Sequence, residues 1–152
     1  MQRIFGWVVS GAVVISLFGV AYAQFAKPEQ AIAYRRATMT LIGDHFGRIG
    51  AVVKGDKQYD PKETEQNATL LATLATLPWD AFTIADTDKG ETHMKPEVLK
   101  DKEAFRKAAD DMQMETAKLA EAADKGELAA VKSQFGATAK SCKACHDRYR
   151  SH

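Results

Sequence analysis

Cys142, Cys145 and His146 stand within the five residues CKACH, and those two cysteines are the only ones among 152 residues. Three chemistries use such a set. A c-type haem takes the two thiols as thioethers and the adjacent histidine as an axial ligand of its iron. A zinc ion takes the same donor types but needs four in a closed site or three around an open position. A redox dithiol uses the Cys-x-x-Cys pair alone. Zinc fits poorly, because the three donors are bunched and His45, His93 and His152 show no ligand spacing. A thioredoxin-like dithiol belongs beside a βαβ pattern, and the sequence shows no strand-like alternation. A structural disulfide suits positions one helical turn apart badly. The haem reading uses all three residues. On a helix, Cys145 and His146 lie three and four positions after Cys142, so all three address one planar group lying along the helix.

Other residues become informative beside that group. Arg35 is a charge within an otherwise apolar seam, which is costly unless paired. The propionates of a haem suit its guanidinium fork, and the bland alternative is that it snorkels or meets an acid. Met39, one turn on, shares that face and stands over the haem opposite His146, as a thioether ligand or as an apolar lid. Arg150 follows His146 by four residues and projects to the same side of a continuing helix, beside the proximal face or as a solvated charge favouring the helix dipole.

The elements that must position these residues are helices. Four segments show helical periodicity. The first, about 28–50, carries the seam Ile32, Arg35, Met39, Ile42, Phe46 and Ile49. The second opens on Asp60-Pro61-Lys62-Glu63, with Asp60 as cap, Pro61 in the first turn and Glu63 at the capping-box position. Its apolar side reads Leu70, Leu71, Leu74 and Leu77, ending at Pro78. The third starts near Pro96, carries Val98, Phe105, Ala109, Met112, Thr116, Leu119 and Ala123, and stops at Lys125-Gly126. The fourth places Leu128, Val131, Phe135, Thr138, Cys142, Cys145 and Tyr149 on one seam. The short third connection makes the last two segments antiparallel neighbours. The expectation is an all-α, antiparallel up-down-up-down four-helix bundle with one covalently bound haem.

The first residues bound the compartment. MQRIFGWVVSGAVVISLFGVAYA has one arginine, an apolar stretch and the small-residue pattern Ala21-Tyr22-Ala23. This is the layout of a signal peptide over residues 1–23, with cleavage before Gln24, set against an uncleaved membrane anchor. Cleavage removes one of 21 basic residues and none of 20 acidic ones, so residues 24–152 carry no formal net charge. That balance advertises no nucleic-acid partner. Export implies an oxidising compartment in which two thiols pair or are consumed by a cofactor.

The stretches QFAKPEQAIAYR, VKG, LPWDAF, KPE and CKACHDRYR, spread over residues 24–152, resemble the cytochrome c prime family of class II c-type cytochromes. The resemblance implies a periplasmic four-helix bundle, commonly a homodimer, with one haem c and a high-spin, five-coordinate iron that binds nitric oxide and carbon monoxide. It makes Cys142 and Cys145 the thioether sites and His146 the proximal iron ligand. It places Arg35 at the propionate-contacting position, Met39 at the distal apolar position and Arg150 beside the proximal face. Low-spin relatives use a methionine of the first helix as sixth ligand, so Met39 leaves two functions open. One is capture of nitric oxide at a five-coordinate haem. The other is a six-coordinate electron carrier with Met39 as ligand and a periplasmic redox partner. A haem enzyme is not expected, because no distal histidine with a nearby acid or arginine falls on the Met39 face, His45 lying about 240° around the helix from it. No stable membrane association is expected after cleavage.

Overall fold

The computed structural model describes residues 25–151, so the segment 1–23 read as a signal peptide lies outside the described residues. Four long helices form the bundle: α1 (Pro28–Lys54), α2 (Pro61–Leu74), α5 (Lys102–Asp124) and α6 (Leu128–Tyr149). Two single-turn helices, α3 (Asp80–Thr83) and α4 (Glu97–Lys100), punctuate the α2–α5 crossing. The all-α expectation is met: α5 packs chiefly on α6 and α2, α2 on α1, and α1 touches α6 only lightly.

Local chemistry sets the ends. Pro28 begins α1 with its φ already suited to a helix. Gly55 closes α1 at φ 86°, a left-handed conformation that costs glycine nothing. There the amides of Asp56 and Gly55 donate to Ala51 O at 2.8 Å and Val52 O at 3.1 Å, the paired bonds of a Schellman stop. Asp60 caps α2 as expected, accepting from Lys62 N at 2.9 Å and Glu63 N at 3.1 Å. Glu63 pairs with Lys57 instead of closing a capping box. Gly126, at φ 70°, turns the chain between α5 and α6.

Two readings of the sequence need correction. The buried side of α2 is Thr64, Asn67, Ala68 and Leu71, while Leu70 and Leu77 are 48% and 43% exposed. The polar members tolerate burial because each is bonded: Thr64 donates to Asp60 O, and Asn67 donates to Glu63 O and meets His45 Nδ1 at 2.9 Å. The third segment is not one helix from Pro96. Asp101 adopts φ −126°, ψ 70° and caps α5 by accepting from Ala104 N. The same carboxylate pairs with Arg148 of α6 at 2.9 Å.

α1 and α6 run antiparallel, and their contact is uneven. At the C-terminal half of α1, Phe46 stacks on Phe135 of α6 with centroids 4.2 Å apart and planes 7° from parallel. Gly50 permits this approach, since a Cβ there would sit 3.1 Å from the Phe135 ring. Towards the N-terminal half of α1 the two helices leave a cleft.

Candidate functional site

The cleft encloses about 530 Å³, within the range of sites that hold a sizeable organic ligand. Its α1 wall is Arg35, Arg36, Met39, Thr40 and Gly43, and its α6 wall is Cys145, His146 and Tyr149 with Arg150 beyond. Trp79, Phe82 and Phe105 form an aromatic back, and Thr92, His93 and Met94 close one side. Cys142, one turn before Cys145, is half-buried against the core.

As free thiols the cysteines are poor redox groups. Burial pushes the Cys142 thiol up, and burial with the neighbouring Cys142 pushes Cys145 up to about 11. A working dithiol needs the opposite shift. The His146 imidazole is pushed down by burial first and by the Arg150 charge second, with Asp147 opposing. That direction favours the neutral form, the one that ligates metals.

Arg35 is buried, with 2% exposure. Its guanidinium donates to Ala81 O at 3.2 Å, Thr87 O at 2.5 Å and Thr92 Oγ1 at 2.6 Å, and lies 4.8 Å over the Phe82 ring. Desolvation brings it down to about 10, with Asp88 opposing. Arg35 thus does not snorkel, and it sits in no ion pair among the described residues. It pins the stretch between α3 and α4 against α1, with three of its five N–H donors engaged. Arg36 adds a bond to Glu91 O.

Arg150 departs from the helical placement read in the sequence. It is the extended cap of α6, φ −118° and ψ 131°, and pairs antiparallel with Met94. Lys95 N donates to Tyr149 O at 2.9 Å and Ser151 N to His93 O at 2.8 Å. The side chain still lines the cleft, and its charge is felt at His146. The sequence reading missed Arg36, Thr92, His93 and Met94 as lining residues. Arg36 was signalled only by adjacency to Arg35, and residues 92–94 lie in a stretch without periodicity. Phe105 and Tyr149, both placed on core seams by the sequence, do pack together at 5.1 Å, with Phe82 5.2 Å from Phe105, and all three also wall the cleft.

The residues present fit a haem. Three arginines line the cleft, and among the described residues no carboxylate does, a balance that suits a dianionic group. The aromatic back suits an apolar macrocycle. The Tyr149 hydroxyl is buried with no hydrogen-bond partner among the described residues, an orphan that a bound group or water would satisfy. Cys142 and Cys145 have the thioether spacing of a covalent haem c. Among the described residues no group of three or more His, Cys, Asp or Glu side chains is arranged to hold a bare metal ion, and no helix is long and apolar enough to cross a membrane.

Comparison with known proteins agrees with this geometry. Residues 30–150 match the family model described as Cytochrome C'. Cytochrome c' of Alcaligenes xylosoxydans xylosoxydans is 43% identical over 127 residues, covering 84% of this chain and 98% of that one. The crystal structure of cytochrome c' from Rubrivivax gelatinosus superposes with a TM-score of 0.80 at 41% identity, over 84% of this chain and all of that one. A nitric oxide complex of a variant cytochrome c prime from Alcaligenes xylosoxidans gives a TM-score of 0.79 at 42% identity, over 85% of this chain and 100% of that one.

Proposed function

This chain belongs to the cytochrome c prime family, and from that premise we propose that it is a periplasmic, five-coordinate haem protein that captures nitric oxide and also binds carbon monoxide. In this reading residues 1–23 are a signal peptide and residues 24–152 the haem domain. The haem, when bound, supplies an iron with one open face for a diatomic gas. Cys142 and Cys145 would hold it covalently, and His146 would offer its imidazole from the α6 wall. Arg35 orients the α3–α4 stretch, and its remaining N–H donors would be available to a propionate. Arg150 keeps positive charge beside the imidazole.

The observation that carries the reading is the α1 wall. Beyond Arg35 and Arg36 it offers the half-buried Met39, with Thr40, whose hydroxyl donates to Arg36 O, and Gly43. The Met39–Gly43 part of that wall, with the Thr40 hydroxyl already spent, gives bound dioxygen little hydrogen-bonding support, whereas nitric oxide and carbon monoxide need little. The nitric oxide complex of a 42% identical relative supports the same ligand class. Catalytic turnover is not part of the proposal. Leu41 on α1 and Leu70 on α2, each 48% exposed, are compatible with a homodimer.

A second reading rests on the Met39 thioether lining the same cleft as His146: a six-coordinate electron carrier serving a periplasmic redox partner. Absorption and electron paramagnetic resonance spectra, with and without nitric oxide, separate the two. A high-spin signal that changes with the gas is expected. A low-spin signal that ignores the gas and is lost in Met39→Ala would establish the carrier.

A further inference from the structure

α1 contains Gly43, Gly47 and Gly50 in its interior, and glycine destabilises a helix interior relative to alanine. Gly50 is explained by the Phe135 ring against it. Neither a turn nor a close neighbour explains the other two: both are helical and exposed, and a Cβ added at either would meet nothing within 4 Å. They differ in one respect. Gly43 lines the cleft and Gly47 does not.

Gly43 follows Met39 by one turn. A helical side chain leans toward the N-terminus and covers the preceding turn, so any side chain at position 43 would lie over Met39. Met39 is only half-buried, and its unbranched chain adapts readily to the space around it. Its N-terminal side is closed by Arg35, held at Ala81 O, Thr87 O and Thr92 Oγ1. The side toward residue 43 is open.

We propose that Gly43 is an access-determining residue of the cleft: its missing side chain is the space into which Met39 turns when a diatomic gas reaches the iron, so it sets the rate of gas uptake. The inference rests on the gas-binding reading and deepens it.

The test uses the haem-loaded protein and carbon monoxide as probe, with association followed by stopped flow. Gly43→Leu should slow association about tenfold, equivalent to about 1.4 kcal/mol on the barrier. Gly43→Ala should slow it about twofold, a barrier change well below that of the leucine variant. Gly47→Leu should leave the rate unchanged. Gly43→Ala and Gly47→Ala should raise the thermal midpoint by similar amounts, because both add helix propensity, which separates the access effect from any structural one. A crystal structure of the carbon monoxide complex should show the Met39 thioether displaced toward residue 43. Wild-type association rates in both Gly43→Leu and Gly43→Ala, or a Met39 that turns elsewhere in the complex, would overturn the inference while leaving gas binding intact. A wild-type protein indifferent to carbon monoxide would sink the gas-binding reading, and this inference with it.

Discussion

The two halves of α1 face the same neighbour, α6, with opposite solutions. The C-terminal half is finished by protein: Phe46 stacks on Phe135, Gly50 admits the ring, and His45 reaches Asn67 across to α2. The N-terminal half is finished by something else. There Arg35 and Met39, with Gly43 just past the midpoint, border a cleft that arginines, aromatics and a tyrosine hydroxyl unpartnered among the described residues prepare for a bound group. One helix thus serves as core at one end and as site wall at the other. Side-chain volume separates the two roles, since ring meets ring at the closed end and a glycine leaves room at the open one.

Emptying the open half should have the largest effect. Replacing Cys142 and Cys145 together by alanine should abolish covalent haem, read as loss of the cofactor from the denatured chain. It should destabilise the bundle by on the order of 5 kcal/mol, because the cleft loses its filling, read as the unfolding midpoint in denaturant. At the closed half, Phe135→Ala should cost about 3 kcal/mol through loss of the stacked ring, while leaving the haem absorption spectrum unchanged. A shifted spectrum would show that the two halves are coupled.

Arg35→Lys keeps the charge but loses the planar fork. Leaving the carbonyls of Ala81 and Thr87 unsatisfied should cost about 2 kcal/mol. The amides of residues 84–93 should then exchange hydrogen faster while those of α5 do not.

The smallest effect is expected at Glu115, away from the cleft, whose carboxyl is held below its ordinary 4.5 by Lys118 first and Gln134 second. A lowered carboxylate contributes stability above its unfolded value and loses it as pH falls through the folded one. Wild type should therefore melt slightly above Glu115→Gln at neutral pH, with the gap closing in acid. A gap that persists below the folded value would remove the carboxylate from the explanation.

What the sequence made legible follows the same division. The α1 seam, the Asp60 cap, the Gly126 stop and the α6 seam are local signals, and the structure reproduces them. The buried face of α2 was hidden because Thr64 and Asn67 look solvent-facing until their partners are known, and one partner, His45, lies on another helix. The break at Asp101 was obscured by apolar periodicity continuing on either side. Thr92, His93 and Met94 gave no signal at all. Their placement is set by Arg35 and by residues 149–151, which are distant in sequence, and no short-range pattern encodes such a contact. In the site, spacing alone put Cys142, Cys145 and His146 on one helix, but the partners of Arg35 were not readable from it.

The short antiparallel pairing of residues 93–95 with 149–151 has a consequence for assembly. The chain is made from its N-terminal side, so α1, α2 and α5 are complete before the strand partners of 93–95 exist. Loop closure over such a separation is among the slower steps available to a helical protein. The attachment residues and this latch arrive together, leaving the cofactor side of the bundle as the last to shut. A chain emerging in that order keeps its doorway open until the residues that hold the guest have arrived.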